Sequence, residues 1–454
     1  MRQKREAVFC FESSDAGLPK ILRDYRARYR AISQVLDRNP QILDLVDHDL
    51  RKLSQGGRQG RKADFTSENI LRALIVQDVE GLPFREAVIR MGGDGFLQDF
   101  LRMRKKAVMD YSFLDKCSVA VEPETWKRVN ELLGCYGIRQ GIINPKVIRT
   151  DTTVMESNIH YPTDASLLWD TWRVTERLLK RGREMLEESL PHRFHTRKIK
   201  KLYLFVTRYS SSPSAKRQRK VQESFRTLIE RVEWIVAIAR DFSETFRSSS
   251  SIELAATALE LRSFLPSMQK VVAVARRVQV AREAVPASEK VFSIFEPHTE
   301  LIKRGKHNKP VEFGHKVLLC ETAEKFITDY DVYEHQEPDC DLTEPVIRRH
   351  EKLFGERPVV LAADKGFCPE KSKFEELAKL VKNLAIPRRM QDFMDKLLAH
   401  NQAFRAGIEG TISGLKRAFR WFRCFFRGFK GFARNVGLGV FCHNLIVLAE
   451  HESG

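Results

Sequence analysis

The sequence predicts an α+β fold, and three observations carry that prediction. Residues 20–53 and 66–133 hold apolar side chains at helical period. Six short apolar or β-branched runs between 142 and 386 read as strands. From about 165 to 285 the pattern turns helical again and heptad-like, set between the first strand and the rest. A chain of 454 residues with 43% hydrophobic content is long and apolar enough for more than one core. Lys and Arg number 78 against 60 Asp and Glu, a net charge of +18, which makes a polyanion the expected partner.

In chain order, Asn39-Pro40 reads as an N-cap followed by proline at the first helical position, starting a second helix after the one that begins near residue 20. Residues 54–62, with Arg58, Arg61 and Lys62 among glycines, suit either a flexible spacer or a strand that tracks phosphates. Thr66 can cap a helix with Ile70, Leu71, Leu74 and Ile75 on its apolar face. Gly81-Leu82-Pro83 breaks that helix and Phe84 starts another. Helix, tight turn and short helix are compatible with a helix-turn-helix unit and equally with any small helical bundle. A basic run with Arg102, Arg104, Lys105 and Lys106 follows.

The first strand is expected at 142–154, led in by Pro145, with Asp151 at or near its end and Thr152 and Thr153 after it. Within 165–285, Val221, Phe225, Leu228, Val232, Ile235 and Ala239 recur at spacings of four and three. Such a seam calls for partner helices, which 167–190 and 252–281 can supply. Between the first two lies a basic, serine-rich stretch with Arg197, Lys198, Lys200, Lys201, Arg208, Lys216, Arg217, Arg219 and Lys220. The region reads as a helical insertion whose edge touches DNA, or as a purely structural or dimerising hairpin. Strands are then expected at 291–295, 314–321 and 326–333, with a basic turn at 303–309 between the first two. A helix at 341–354 and a buried strand at 358–363 ending in Asp364-Lys365-Gly366-Phe367 come next. Helix 373–380 and strand 383–386 complete the series.

Residues 401–420 are the most informative stretch. As a helix they place Gln402, Arg405, Glu409 and Lys416 along one stripe and Ile408, Ile412, Leu415 and Phe419 along its neighbour. A packed surface helix with a solvated face has the same pattern. Gly407, Gly410 and Gly414 each weaken a helix by up to about 1 kcal/mol, which makes sense where something bulky approaches the backbone. Residues 416–434 then carry seven basic and seven aromatic residues and no acid. Lys416, Arg417 and Arg420 in that field suit phosphates, whereas the aromatics suit either stacking on an unpaired base or a core.

Arg405, Glu409 and Lys416, spaced R-x3-E-x6-K, resemble the signature around the catalytic glutamate of DDE insertion-sequence transposases. The family's tyrosine three residues before the arginine is replaced by Gln402. The run ending at Asp151 and the Asp-Lys-Gly-Phe at 364–367 resemble the family's first and second aspartates, and Gly314-His315-Lys316 its glycine-aromatic-lysine element. The long separation of the two aspartates resembles the ISNCY-type branch. The resemblance covers roughly residues 60–450. It implies an RNase H-like mixed sheet core at 141–164 and 286–450, interrupted by the helical insertion 165–285. Before the core it implies a helical arm and linker at 1–62 and a helical DNA-binding domain at 63–140, to which Arg58, Arg61, Lys62, Arg104 and Lys105 would contribute.

It further implies catalysis by Asp151, Asp364 and Glu409 holding two Mg2+ ions, with Mn2+ as a substitute. Hard ions prefer oxygen ligands, and a pair of them serves both the attacking and the leaving oxygen of a phosphodiester. Arg405 and Lys416 would contact phosphates beside the cut. The expected activity is cleavage at transposon ends and strand transfer into target DNA, by a homodimer or larger assembly, in the cytoplasm at the nucleoid. The alternatives are an RNase H-like nuclease that cuts without joining and a domesticated transposase that binds DNA without catalysis.

No signal-peptide pattern and no apolar run of roughly 18 residues is expected, 436–449 being too short and interrupted by His443 and Asn444. Eight scattered cysteines indicate neither a zinc site nor a disulfide framework and fit a reducing compartment. Asp329, Asp331, Glu156, Asp164 and Asp170 are expected to be solvated or structural, since none ends a buried run beside a small turn.

Overall fold

Fifteen α-helices and seven strands form among the residues that the computed structural model describes, which are 2–5, 15–54, 64–103, 109–186, 192–306, 309–388 and 396–452. The fold is mixed α+β, with a seven-stranded sheet. The chain divides into two compact units, residues 1–156 with 315–454 and residues 157–314. Residues 1–140, expected as an arm and a helical domain, fall in the first unit, and residues 165–285, expected as an insertion, fall in the second.

The first unit begins with α1 (Lys20–Arg38), α2 (Pro40–Arg51), α3 (Ser67–Val79), α4 (Phe84–Gly93), α5 (Gly95–Phe100), α6 (Tyr111–Ala120) and α7 (Pro123–Arg139). Pro40 opens α2 as expected, but the Asn39 amide turns back to donate to the Val35 carbonyl at 2.8 Å, closing α1 instead of capping α2. Thr66 does cap α3, in a reciprocal box with Asn69. Nearly every residue of α3 is buried, which makes it a core helix, whereas α4 buries only Ala87 and Met91. The turn between them reaches φ +60° at Gly81, where a Cβ would lie 2.6 Å from the Ala418 carbonyl oxygen.

Strand β1 (Val147–Ser157) follows. The second unit holds α8 (Asp164–Glu184), α9 (Thr196–Tyr209), α10 (Ala215–Thr245), α11 (Ile252–Gln279) and β2 (Glu300–Lys306). All six residues of the expected seam on α10 are buried, in one cluster with Leu168, Trp172 and Leu179 of α8 and Leu261, Met268 and Val272 of α11. The run 291–295 forms no strand. Val291, Phe292 and Ile294 are buried in irregular backbone, and the first strand of the hairpin falls later, at β2. Lys303 is accordingly a strand residue paired with Val311, not part of a turn.

The remaining elements are β3 (Lys309–Thr322), β4 (Ile327–Tyr333), α12 (Asp339–Phe354), β5 (Val360–Ala362), α13 (Lys371–Leu380), β6 (Asn383–Ala385), α14 (Lys396–Ala418), β7 (Arg423–Cys424) and α15 (Gly428–Glu452). In the first unit β3 pairs antiparallel with β4 on one side and neighbours β1 on the other. The order continues through β5 and β6, with β1, β5 and β6 parallel and β7 on the far part of β1. Helix α15 is long and apolar enough over Gly428–His451 to cross a membrane by length and composition, but most of its apolar stretch is buried inside the protein. Val436, Val440, Phe441 and Leu445 join one cluster with residues of α1, α3 and α7. None of the seven described cysteines forms a disulfide.

Candidate active site

Strand register brings the two aspartates together. β1 and β5 pair in parallel as Val147↔Val360, Ile148↔Leu361 and Arg149↔Ala362. Asp151 and Asp364 each lie two residues beyond the last pair, so both return to the same face at the same level of neighbouring strands about 5 Å apart. Asp151 is nonetheless in the middle of its strand and not at its end. β1 runs on to Ser157 because its far part pairs with β7, and the Glu156 amide donates to the Phe422 carbonyl at 3.3 Å. Asp364 opens a single 3-10 turn and accepts the Gly366 N–H at 2.8 Å. A Cβ at 366 would press on that carboxylate from 3.0 Å, and buried Phe367 anchors the turn from below.

Helix α14 is fastened over these strand ends by two side chains. Gln402 Nε2 donates to the carbonyls of Ala363 and Ala385, at 3.0 and 2.9 Å, just past the end of β5 and at the end of β6. Gln402, which stands where the resembled signature has a tyrosine, is therefore one of the two residues that join the helix to the sheet. From beneath, Arg149 donates to the Phe404 carbonyl and to Glu321 Oε1, both at 2.6 Å, and its guanidinium stacks on the Phe404 ring at 4.8 Å. A Cβ at Gly407 would overlap that guanidinium. What approaches the backbone there is thus a buried arginine of the same chain. Gly410 and Gly414 face open space.

Held this way, Arg405 sits between acids. Its Nη1 is 3.6 Å from Asp151 Oδ2 and its Nη2 is 3.0 Å from Glu409 Oε1. Glu409 itself is 63% exposed, whereas Asp151 is mostly covered. The Asp151 carboxyl is pushed up to about 6 by burial and then by the charges of Asp364 and Asp339, against the pull of the Thr152 N–H and Arg405. Asp339 is the residue that the sequence did not reveal. It begins α12, two residues earlier than the expected helix, and its Oδ1 takes Lys316 Nζ at 2.8 Å and the Thr152 hydroxyl at 3.2 Å. Only its position in a helix's first turn distinguishes it in sequence.

Among the described residues no group of three or more His, Cys, Asp or Glu gathers closely enough to hold a metal without rearrangement. The chemistry of the donor set still fits a hard divalent cation. Asp151 and Asp364 supply adjacent oxygens whose mutual repulsion such an ion relieves, and Glu409 is the exposed third acid once parted from Arg405.

The other expected contacts fall in two groups. Lys416 and Arg417 lie on the last turn of α14, and the Arg420 guanidinium rests over Phe425 at 4.9 Å. Arg420, Arg423, Arg427 and Arg434 line a cavity of about 720 Å³ with Phe84, Phe425 and Phe426. Of the aromatics of 416–434, Phe419, Trp421 and Phe432 are core residues, whereas Phe422 and Phe425 are about half exposed. Arg58, Arg61, Lys62, Arg104 and Lys105 lie outside the described residues. Arg102 pairs with Asp37 and Glu68, both at 2.6 Å, and Asp329 and Asp331 pair with Arg349. Asp170 pairs with Arg173, and Glu156 with Arg423. Compared with protein-family models, curated proteins and solved structures, the chain matches none.

Proposed function

We propose that this chain is an insertion-sequence transposase of the DDE type, which cuts DNA at the ends of its element and joins the freed strands to target DNA. The observation that carries the reading is the equal offset of Asp151 and Asp364 beyond Arg149↔Ala362, with α14 fastened over both and bearing Arg405 and Glu409. The succession β1, β2 to β4, α12, β5, α13, β6 and α14 is the order expected of an RNase H-like core and supports it. Mg2+ or Mn2+, when bound, would neutralise phosphate oxygens and activate the attacking hydroxyl. Asp151, Asp364 and Glu409 would hold it. Arg405 offers a planar fork to a phosphate beside Asp151, and Lys416 a point charge eleven residues further along the same helix.

The test uses the full chain, Mg2+, a duplex built from inverted repeats flanking its gene, and supercoiled target DNA. Joined product is expected. Cutting without joining would make the protein a nuclease. A second reading, DNA binding without catalysis, draws on the position of Arg405, which already neutralises part of the charge of Asp151 and Glu409. End binding that ignores Mg2+, with no cut strand, would favour it.

Asp364→Asn and Glu409→Gln are each expected to abolish cleavage while leaving end binding within a few-fold, because the acids are not the groups that hold phosphates. Gel-resolved cleavage and fluorescence anisotropy on one preparation measure both. Lys416→Ala should leave the fold intact and flatten the dependence of log affinity on log salt by about one unit, the signature of one lost phosphate contact.

A further inference from the structure

The second unit carries a cationic surface that the active site does not use. On α9, Arg197, Lys201 and Arg208 share one stripe with Leu204, at spacings of four, three and four. That stripe is opposite buried Ile199 and Val206. All three cations are exposed. The first turns of α10 add further cations, and two contacts fix them beside α9. The Arg217 guanidinium lies over the Tyr209 ring at 4.5 Å, and Lys220 Nζ over the Phe205 ring at 5.5 Å. No acid occurs in the sequence from Arg193 to Gln222. The ion pairs of the neighbouring helices, Lys180–Glu176, Arg181–Glu260 and Arg276–Glu233, lie elsewhere on the unit.

A helix used only as a packing element gains nothing from such a face, since like charges three and four residues apart repel. We propose that the α9 stripe, with the start of α10 beside it, is a docking surface for the phosphate backbone of duplex DNA, read without regard to sequence. This rests on the reading of the chain as a DNA-acting protein. Arg197 and Arg208 lie eleven residues apart, about 17 Å along the helix, a length that matches about five base pairs of duplex axis at 3.4 Å each. A membrane surface fits less well. The apolar side of α9 is turned into the unit, and the exposed face offers Leu204 as its one large apolar side chain, so nothing is left to enter a bilayer.

The experiment compares the full-length wild type with an Arg197→Gln, Lys201→Gln, Arg208→Gln variant on a random-sequence duplex, by anisotropy from 50 to 300 mM salt. The three side chains point to solvent, so thermal melting is expected to be unchanged. The salt slope should become shallower by about two to three units, and affinity near 0.1 M salt should fall on the order of a hundredfold. The loss should be equal for any duplex sequence and independent of Mg2+. If the wild type binds and the variant keeps its slope, the surface is refuted while the proposed function stands. A wild type that binds no duplex refutes both. Loss of binding to phosphatidylserine vesicles with duplex binding unchanged would assign the face to a membrane and overturn the proposal.

Discussion

Replacing Asp151 by Asn is expected to raise the melting temperature at pH 7.5 by several degrees while abolishing strand cleavage. Burial and the neighbouring charges of Asp364 and Asp339 raise the Asp151 carboxyl from 3.8 to about 6, so the fold disfavours its ionised form relative to the unfolded chain. Below about pH 3 the group is protonated in both states and costs nothing. As pH rises through about 6 the cost grows to its full value and stays there, on the order of 2–3 kcal/mol at 1.36 kcal/mol per pKa unit. Asparagine keeps the oxygen that accepts the Thr152 N–H at 2.7 Å and removes the charge. The difference in melting temperature between variant and wild type should therefore shrink as pH falls from 6 and approach zero near pH 3. Mg2+ should supply the same relief by another route, raising the wild-type melting temperature at pH 7.5 and leaving that of Asp151→Asn nearly unmoved. A variant less stable than the wild type at pH 7.5 would mean that the aspartates do not crowd each other, and the metal reading would lose its physical basis.

The parts of the fold that sequence made legible are those in which one residue's surroundings are local. The seam of α10 repeats every three or four residues, so each apolar position announces its neighbours, and all six are buried. β4 alternates apolar with polar residues, β5 is a short apolar run between polar breaks, and the ends of β4, β5 and β6 lie within about two residues of expectation. The run 291–295 has the same look, yet its apolar residues pack in irregular backbone, since burial alone does not decide whether a partner strand is present. The site divides in the same way. Arg405 and Glu409 share a helix and their spacing is readable, whereas the juxtaposition of Asp151 with Asp364 depends on strand register and was reachable only through family resemblance. Asp339 reaches the same spot from a third element with no periodicity to mark it. Gly407 drew attention for a sound reason, a backbone that something approaches closely, but the visitor is Arg149, a long-range contact that spacing cannot name.

That contact is where the largest loss of stability is expected. Glu321 is fully buried and Arg149 nearly so. Burial pushes the Glu321 carboxyl up while the Arg149 guanidinium holds it down. Arg149→Ala leaves that acid without its partner charge, a change that costs about 3–5 kcal/mol at neutral pH, readable as a lower urea midpoint. Adding Glu321→Gln removes the stranded charge, so the double variant should recover much of the loss, a coupling that a double-mutant cycle measures directly. Cleavage should not recover with it. The Phe404 carbonyl, one residue before Arg405, still lacks its donor, and α14 is free to shift over the sheet, so Glu409 no longer stands in fixed relation to Asp151. A double variant with wild-type stability and wild-type cleavage would reduce Arg149 to a charge balance for Glu321. Recovered folding with lost cleavage would identify it as the residue that positions the helix, and Gly407→Ala, which forces the same guanidinium aside without touching any charge, should then show the same loss of cleavage.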